Sequence, residues 1–233
     1  MIKAWSPSRL VDYETCPAKL KYKAIDRLPE PPAPALDRGT RIHKEAEEYI
    51  TGGGKVTADL QGVKDELKRL RGAYRRGKVR VEQALAFTSK WKPTGWMDKD
   101  AWLRCKIDVV EEAPPKKARK SLLKVLRVTD WKSGKNNERD SGKHGDQLNL
   151  YALSVLSTGA AEYATGRLVF TDTGEFVEKP EGTLSMADVL TQREKWDARV
   201  EPMMTDTVFA PNPNFTCRWC AWRKSAGGPC KFG

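Results

Sequence analysis

Four of the five cysteines lie at the two ends of the chain: Cys16 near the start, and Cys217, Cys220 and Cys230 near the finish. An odd total argues against a disulfide framework, as does an opening (Met1-Ile2-Lys3-Ala4-Trp5-Ser6-Pro7) without the apolar run of a secretory leader. Cys217-Arg218-Trp219-Cys220 has the C-x2-C spacing with which two thiolates grip one metal ion or cluster. Both end segments are rich in proline and polar residues, so neither packs strongly by apolar burial alone. Four thiolates on one metal centre would staple them together, which demands a fold whose first and last segments meet. Spacing alone suits tetrahedral Zn²⁺ and a [4Fe–4S] cluster equally. The fifth cysteine, Cys105, falls on the apolar face of a strand and reads as a core thiol.

At 233 residues the chain is long enough to bury one substantial core. Its 42 Lys and Arg against 31 Asp and Glu leave a formal charge of +11, which makes a polyanion the expected partner, nucleic acid foremost. No stretch approaches the ~18 apolar residues that span a bilayer, so no membrane role is expected and the chain reads as soluble and cytoplasmic. The charge is concentrated in two runs. Lys64 to Arg80 holds eight cations against two acids, and Lys116 to Lys135 holds eight against Asp130 alone. Arg75, Arg76, Lys116, Lys117 and Lys135 are the candidate phosphate contacts, although a charge run often serves only as a solvated face. Trp219 and Trp222 are candidates for base stacking or for packing near the cysteines.

Patterning predicts two short helices over 6–24, with Cys16-Pro17 between them. A proline-rich connector follows, then a helix from about Asp37 to Ile50 that ends at Gly52-Gly53-Gly54, and a basic helical stretch over 60–76. Strands are expected at 80–88, 101–111 and 122–131. A helix over 143–157, a strand pair around Thr173-Gly174 and a helix over 186–203 complete the order. The result is an α/β domain built on a mixed central β-sheet flanked by helices.

Chemistry enters at the strand ends. In 101–110 the odd positions, Leu103, Cys105, Ile107 and Val109 among them, form an apolar face, and Asp108 lies near the strand end on the other. Asp130 and Lys132, two apart, share a face at the end of the next strand. A carboxylate there can bind a divalent metal while the ammonium orients or deprotonates water, as phosphodiester hydrolysis requires. Taken alone, the same pair also describes a surface ion pair. His43 stands at the edge of the stripe Ile42, Ala46, Tyr49 and Ile50, where histidines are often structural. Gly39, one turn earlier, is expected to let that helix approach the sheet closely. Gln147 and Tyr151 share one side of a later helix, and Glu82 lies on the strand before Asp108.

In order, Gly39-Thr-Arg-Ile-His43, Lys106-Ile-Asp108, Asp130-Trp-Lys132 and Gln147-Leu-Asn-Leu-Tyr151 resemble the motifs of RecB-type PD-(D/E)XK nucleases. Ser6-Pro-Ser8 with Tyr13-Glu-Thr-Cys16-Pro17, and the three late cysteines, are similar to that superfamily's iron–sulfur branch, which includes the AddB nuclease domain and CRISPR-associated RecB-like exonucleases. The resemblance implies a restriction-endonuclease-like core over about 36–205 within a single domain of 1–233. Residues 1–35 and 206–233 would then close around a [4Fe–4S] cluster on Cys16, Cys217, Cys220 and Cys230. It implies that His43, Asp108, Asp130 and the Trp131 carbonyl hold Mg²⁺ or Mn²⁺, with Lys132 as catalytic lysine and Gln147 and Tyr151 shaping the site. The activity implied is a DNA exonuclease, 5′→3′ by the habit of that branch, on single strands or duplex ends. Recombination or repair, phage DNA metabolism and CRISPR adaptation, with protein partners there, are the settings implied. The alternative is a non-catalytic nucleic-acid-binding protein of the same fold.

Overall fold

The computed structural model describes residues 2–30, 34–118, 121–136 and 141–232, with backbone alone at 34–36, 116–118, 121 and 141. Ser6 caps the first helix by accepting from the Arg9 N–H at 3.4 Å, and Pro7 pre-sets its first turn. That helix, α1 (Pro7–Thr15), stops at Cys16, whose extended backbone leads into α2 (Pro17–Leu20). The thiol therefore stands at a helix start, as the sequence predicts. Helix α3 (Pro34–Thr51) ends where Gly52 takes φ +110, and α4 (Lys64–Arg75) follows. The helix expected from 60 is instead a 3₁₀ turn over Ala58–Val63 before α4 begins. Gly62 in this turn lies against the segment at Thr171, where a Cβ would sit 2.7 Å from the Thr171 carbonyl oxygen.

Six strands form one sheet in the order β2-β1-β3-β4-β5-β6: β1 (Val79–Phe87), β2 (Pro93–Thr94), β3 (Leu103–Ala118), β4 (Ser121–Lys132), β5 (Tyr163–Phe170) and β6 (Glu175–Ser185). Only β4 and β5 run parallel, joined through α5 (Ser141–Ser157), and α6 (Val189–Thr205) follows the sheet. The mixed sheet with flanking helices is the architecture the pattern predicts. Strand β3 runs seven residues past the expected Glu111, because a bulge between Ala113 and Lys116 absorbs Pro114 and Pro115 and pairing with β4 resumes beyond it. Asp108 therefore lies mid-strand rather than near an end.

Two cores flank the sheet. Ile42, Ala46 and Ile50 of α3 and Leu67 and Leu70 of α4 pack on Val79, Val109, Trp131 and Val169. On the other face Leu148, Tyr151 and Leu153 of α5 and Val200 and Met203 of α6 pack on Leu103, Cys105, Ile107 and Val128, with Trp5 sealed among them. Truncating a fully buried member such as Ile42 to Ala costs ~2–5 kcal/mol. A buried ion network pins α4 to the sheet. Arg167 donates to Thr129 Oγ1 at 2.9 Å and to Glu111 at 3.1 Å and also pairs with Glu66, while Arg69 bridges the same two glutamates.

The strict alternation expected along β3 does not hold. Cys105 and Ile107 join the α5–α6 core, but Val109, of the same parity, joins the α3–α4 core. Strand β1 does the same, Leu85 and Phe87 packing on one side and Val79 and Val81 on the other. Both slips fall beside the same rung, where Glu82 stands between the Val81–Val109 and Gln83–Ile107 pairs with φ +50. A left-handed residue turns the strand over without changing its register.

Candidate active site

Asp108 lies across from Asp130, one step beyond the Val109–Thr129 pair, where the β3–β4 ladder ends. Its side chain replaces the missing ladder partner: Oδ2 accepts the Trp131 N–H at 2.7 Å. Oδ1 lies 3.2 Å from Nδ1 of His43, carried in by α3, whose Nε2 is 3.0 Å from the Trp131 carbonyl oxygen. On the α5 side, Gln147 donates to Asp130 Oδ1 at 2.9 Å and to the Tyr151 hydroxyl at 2.8 Å, while its Oε1 accepts from Lys132 at 2.8 Å. Lys132 Nζ also lies 2.6 Å from Asp130 Oδ2. That contact is an ion pair outside hydrogen-bond geometry, so this buried oxygen has no hydrogen bond among the described residues. His43, Asp108, Asp130, Trp131, Lys132, Gln147 and Tyr151, far apart in sequence, thus form one connected set.

Burial and the neighbouring Asp130 charge raise the Asp108 carboxyl to about 6, against the opposing pull of His43 and the Trp131 N–H. Burial alone would lower the His43 imidazolium, but the Asp108 hydrogen bond and the charges of Asp108, Asp130 and Glu82 outweigh it and hold it up to about 9. Tyr151 is pushed well above its ordinary value by burial and then by the two aspartates, so it stays a neutral hydrogen-bonding phenol. Two nearly buried carboxylates side by side call for positive charge between them.

The donor set suits a hard divalent ion. Among the described residues, ligand atoms of His43, Glu82 and Asp108 lie within 4.8 Å of one another, and the Trp131 carbonyl oxygen is 3.0 Å from His43 Nε2; Asp130, across the ladder from Asp108, is not within that distance of all three. Glu82 is a member that sequence reasoning did not assign. Its signal is its position, facing Asp108 across the β1–β3 rung, and the strained φ that aims it, a conformation costing ~1–3 kcal/mol. Gly39 is not needed for close approach, since a Cβ there would meet only Ser133 Oγ at 3.5 Å, an ordinary contact.

The four terminal cysteines are elsewhere. All four are free and line one cavity of about 1190 Å³, together with Tyr22, Trp222 and Lys143. Backbone N–H groups of Asn212 and Asn214 point at the sulfurs of Cys16 and Cys217, at 3.3 and 3.4 Å. No three of the four sulfurs come within 4.8 Å of one another. Trp222 is buried, whereas Trp219 is 64% exposed with the Arg218 guanidinium 3.8 Å over its ring. Cys105 is buried beside Ser154, and burial pushes its thiol up to about 12.

The basic runs divide. Arg69 is committed to Glu66 and Glu111, and Arg71 to the Tyr49 ring and the Gly52 carbonyl, whereas Arg75 and Arg76 are exposed at the end of α4. Lys135 is exposed three residues after Lys132. Lys116 and Lys117 belong to the backbone of β3, paired with Leu123 and Leu122, roughly 26 Å along the strand from Asp108. Their side chains lie outside the described residues, as does the tip of the basic turn at 119–120.

Residues 4–225 match the family model described as the PD-(D/E)XK nuclease superfamily. No curated protein matches the chain. Among solved structures, the chain is similar to the crystal structure of SSO0001, at 17% identity and a TM-score of 0.48, over 100% of this chain and 89% of that one.

Proposed function

The chain belongs to the PD-(D/E)XK nuclease superfamily, and on that premise we propose that it is a divalent-metal-dependent DNA exonuclease of the RecB-type iron–sulfur branch. The observation that carries the reading is the pairing of Asp108 with Asp130 at the end of the β3–β4 ladder, with Lys132 on the Asp130 side. His43, Asp108, Asp130 and the Trp131 carbonyl would hold Mg²⁺ or Mn²⁺. When bound, the ion supplies Lewis acidity toward the scissile phosphate and lowers the pKa of water.

The protein's own groups do the rest. Lys132, held by Asp130 and Gln147, places an ammonium where an attacking water would be oriented and its proton moved. Gln147 fixes Asp130 and Lys132 at once, and Tyr151 fixes Gln147 through a neutral hydroxyl. Such an activity on single strands or duplex ends would serve recombination or repair, phage DNA metabolism or CRISPR adaptation. The exposed Arg75, Arg76 and Lys135 would extend the contact with the phosphate backbone.

The four terminal cysteines would bind a [4Fe–4S] cluster closing residues 1–35 and 206–233 onto a core of 36–205. All four line one cavity of about 1190 Å³, with backbone N–H groups directed at two of the sulfurs, and that room supports a group larger than a single ion.

End-labelled single- and double-stranded DNA incubated with the protein and Mg²⁺ or Mn²⁺ tests the reading. Wild type should shorten labelled strands, and Asp130→Asn or Lys132→Met should abolish this while retaining the fold. Equal cleavage by wild type and Asp130→Asn would trace the activity to a contaminant. Tight binding without cleavage would point to the binding-only alternative.

A further inference from the structure

We propose that Glu82 is an additional ligand of the divalent-ion site and that Lys106 is a built-in competitor for it: the ammonium occupies Glu82 until the ion arrives, and is then released to hold a phosphate of the nucleic acid. This rests on the metal-site reading above and adds a device to it.

The geometry of β1 and β3 argues for it. Glu82 faces Asp108 across one rung, its side chain is only 13% exposed, and its φ of +50 is the point at which both strands turn over. An ordinary strand residue there would keep the alternation. The turned backbone instead brings a third ligand atom to His43 and Asp108, within 4.8 Å of both. Ligand atoms this close together could be gathered by one divalent ion.

Lys106 comes from β3, two residues before Asp108, and its ammonium forms an ion pair with Glu82. Its side chain is 55% exposed, so it can leave Glu82 for solvent with little loss. It lines a cleft of about 560 Å³ with Lys44, Glu47 and Ser133, in which the two ammoniums and the Ser133 hydroxyl suit a phosphodiester beside the opposing Glu47 carboxylate. A divalent ion on Glu82 draws on its negative charge and repels the ammonium paired there. Lys132, 21% exposed and also held by Gln147, stays on Asp130 under the same repulsion, whereas Lys106 has solvent to move into and remains in a cleft beside the ion, where a phosphate oxygen would lie.

The test measures Mn²⁺ binding by the full chain without nucleic acid, from loss of the free-ion paramagnetic resonance signal. Glu82→Gln should weaken affinity roughly tenfold or more, as loss of groups around a metal does. Lys106→Met, on a 55% exposed side chain, should strengthen it. In the Glu82→Gln background the Lys106→Met gain should vanish. With Ca²⁺, a fluorescent single-stranded oligonucleotide should bind wild type more tightly than without, and Lys106→Met should lose most of that increase. Unchanged Mn²⁺ affinity in Glu82→Gln removes Glu82 from the ligand set. Unchanged or weaker affinity in Lys106→Met removes the competition, and an equal Ca²⁺ effect in wild type and Lys106→Met removes the phosphate contact. Asp108→Asn separates the two readings. Loss of Mn²⁺ binding there, with Glu82→Gln unchanged, overturns this proposal alone; retention of Mn²⁺ binding in Asp108→Asn overturns the metal site itself.

Discussion

Asp108 sits where two opposite demands meet. It is buried next to Asp130, which favours its neutral form, yet it must accept from the Trp131 N–H and from His43, which favours the anion. Without metal the balance is struck by protons, with His43 raised to about 9 and Asp108 raised to about 6. Both groups bind protons more tightly in the folded chain than in the unfolded one. For His43 the resulting stabilisation is complete below its unfolded value near 6.5 and is lost as pH rises through 9; for Asp108 it is lost as pH rises through 6. The metal-free protein should therefore lose stability from pH 6 to 9, by an amount on the order of 2 kcal/mol. Melting temperatures across that range, repeated with His43→Ala and with saturating Mg²⁺, check this: the slope should flatten in both. An unaltered slope in His43→Ala would show that other groups set it. At this scale the sequence was informative where parity held. Asp130 and Lys132 share a face because β4 is regular there, and Gln147 meets Tyr151 because α5 is. Glu82 was opaque because nothing in Val81-Glu82-Gln83 announces a left-handed residue inside a strand.

Among elements, the expected strands and helices form, but their lengths and facings depend on contacts the local pattern does not contain. Strand β3 survives two prolines because a bulge moves them off the ladder, and its two halves face different cores because β1 turns over beside it. Helix α5 shows how such packing positions the site. Gly166 of β5 and Gly182 of β6 face each other beneath it, and a Cβ on either would come within 3.0 Å of Leu148 Cβ and of the opposite glycine's Cα. Leu148 is the neighbour of Gln147, which holds Asp130 and Lys132. Gly166→Ala should therefore lift α5 from the sheet, cost ~1–3 kcal/mol as overpacking does, and lower cleavage more than DNA affinity. Thermal melting with single-turnover cleavage decides it. A stability loss with an unchanged cleavage rate would mean that α5 moves without taking Gln147 along.

At the scale of the whole molecule, the two ends meet through contacts beyond the cysteines. Tyr13 donates to Asp206 at 3.0 Å, Arg199 grips Glu14 through two hydrogen bonds, and Asn214 donates to the Thr15 carbonyl at 3.0 Å. Trp5, fully buried, stacks on Trp196 and pairs its backbone with β3, so the N-terminal segment is anchored in the main core independently of any thiol. The cysteine pattern led to the expectation that the ends meet; it held no sign of this anchoring, which depends on tryptophans nearly two hundred positions apart. The consequence bears on what the proposed cluster stabilises. Its binding energy would fall mainly on Cys16 and the tail from Phe215, whose 3₁₀ turn leaves Phe215 and Trp219 exposed. Loss of the cluster should open that tail and leave the sheet intact. Protein purified without oxygen should be brown and contain iron and sulfide. Cys217→Ser should be colourless and rapidly clipped by protease beyond residue 206, with the main melting transition shifted only slightly. Cys105→Ser should keep its colour, because that thiol is buried in the α5–α6 core beside Ser154, away from the four terminal cysteines. The effect should also reach the nuclease site, since Lys143, on the cavity wall, stands one turn before Gln147 on α5. A colourless wild type with stoichiometric zinc would replace the cluster with a single ion, and global unfolding of Cys217→Ser would show that the closure, not the sheet, holds the molecule together.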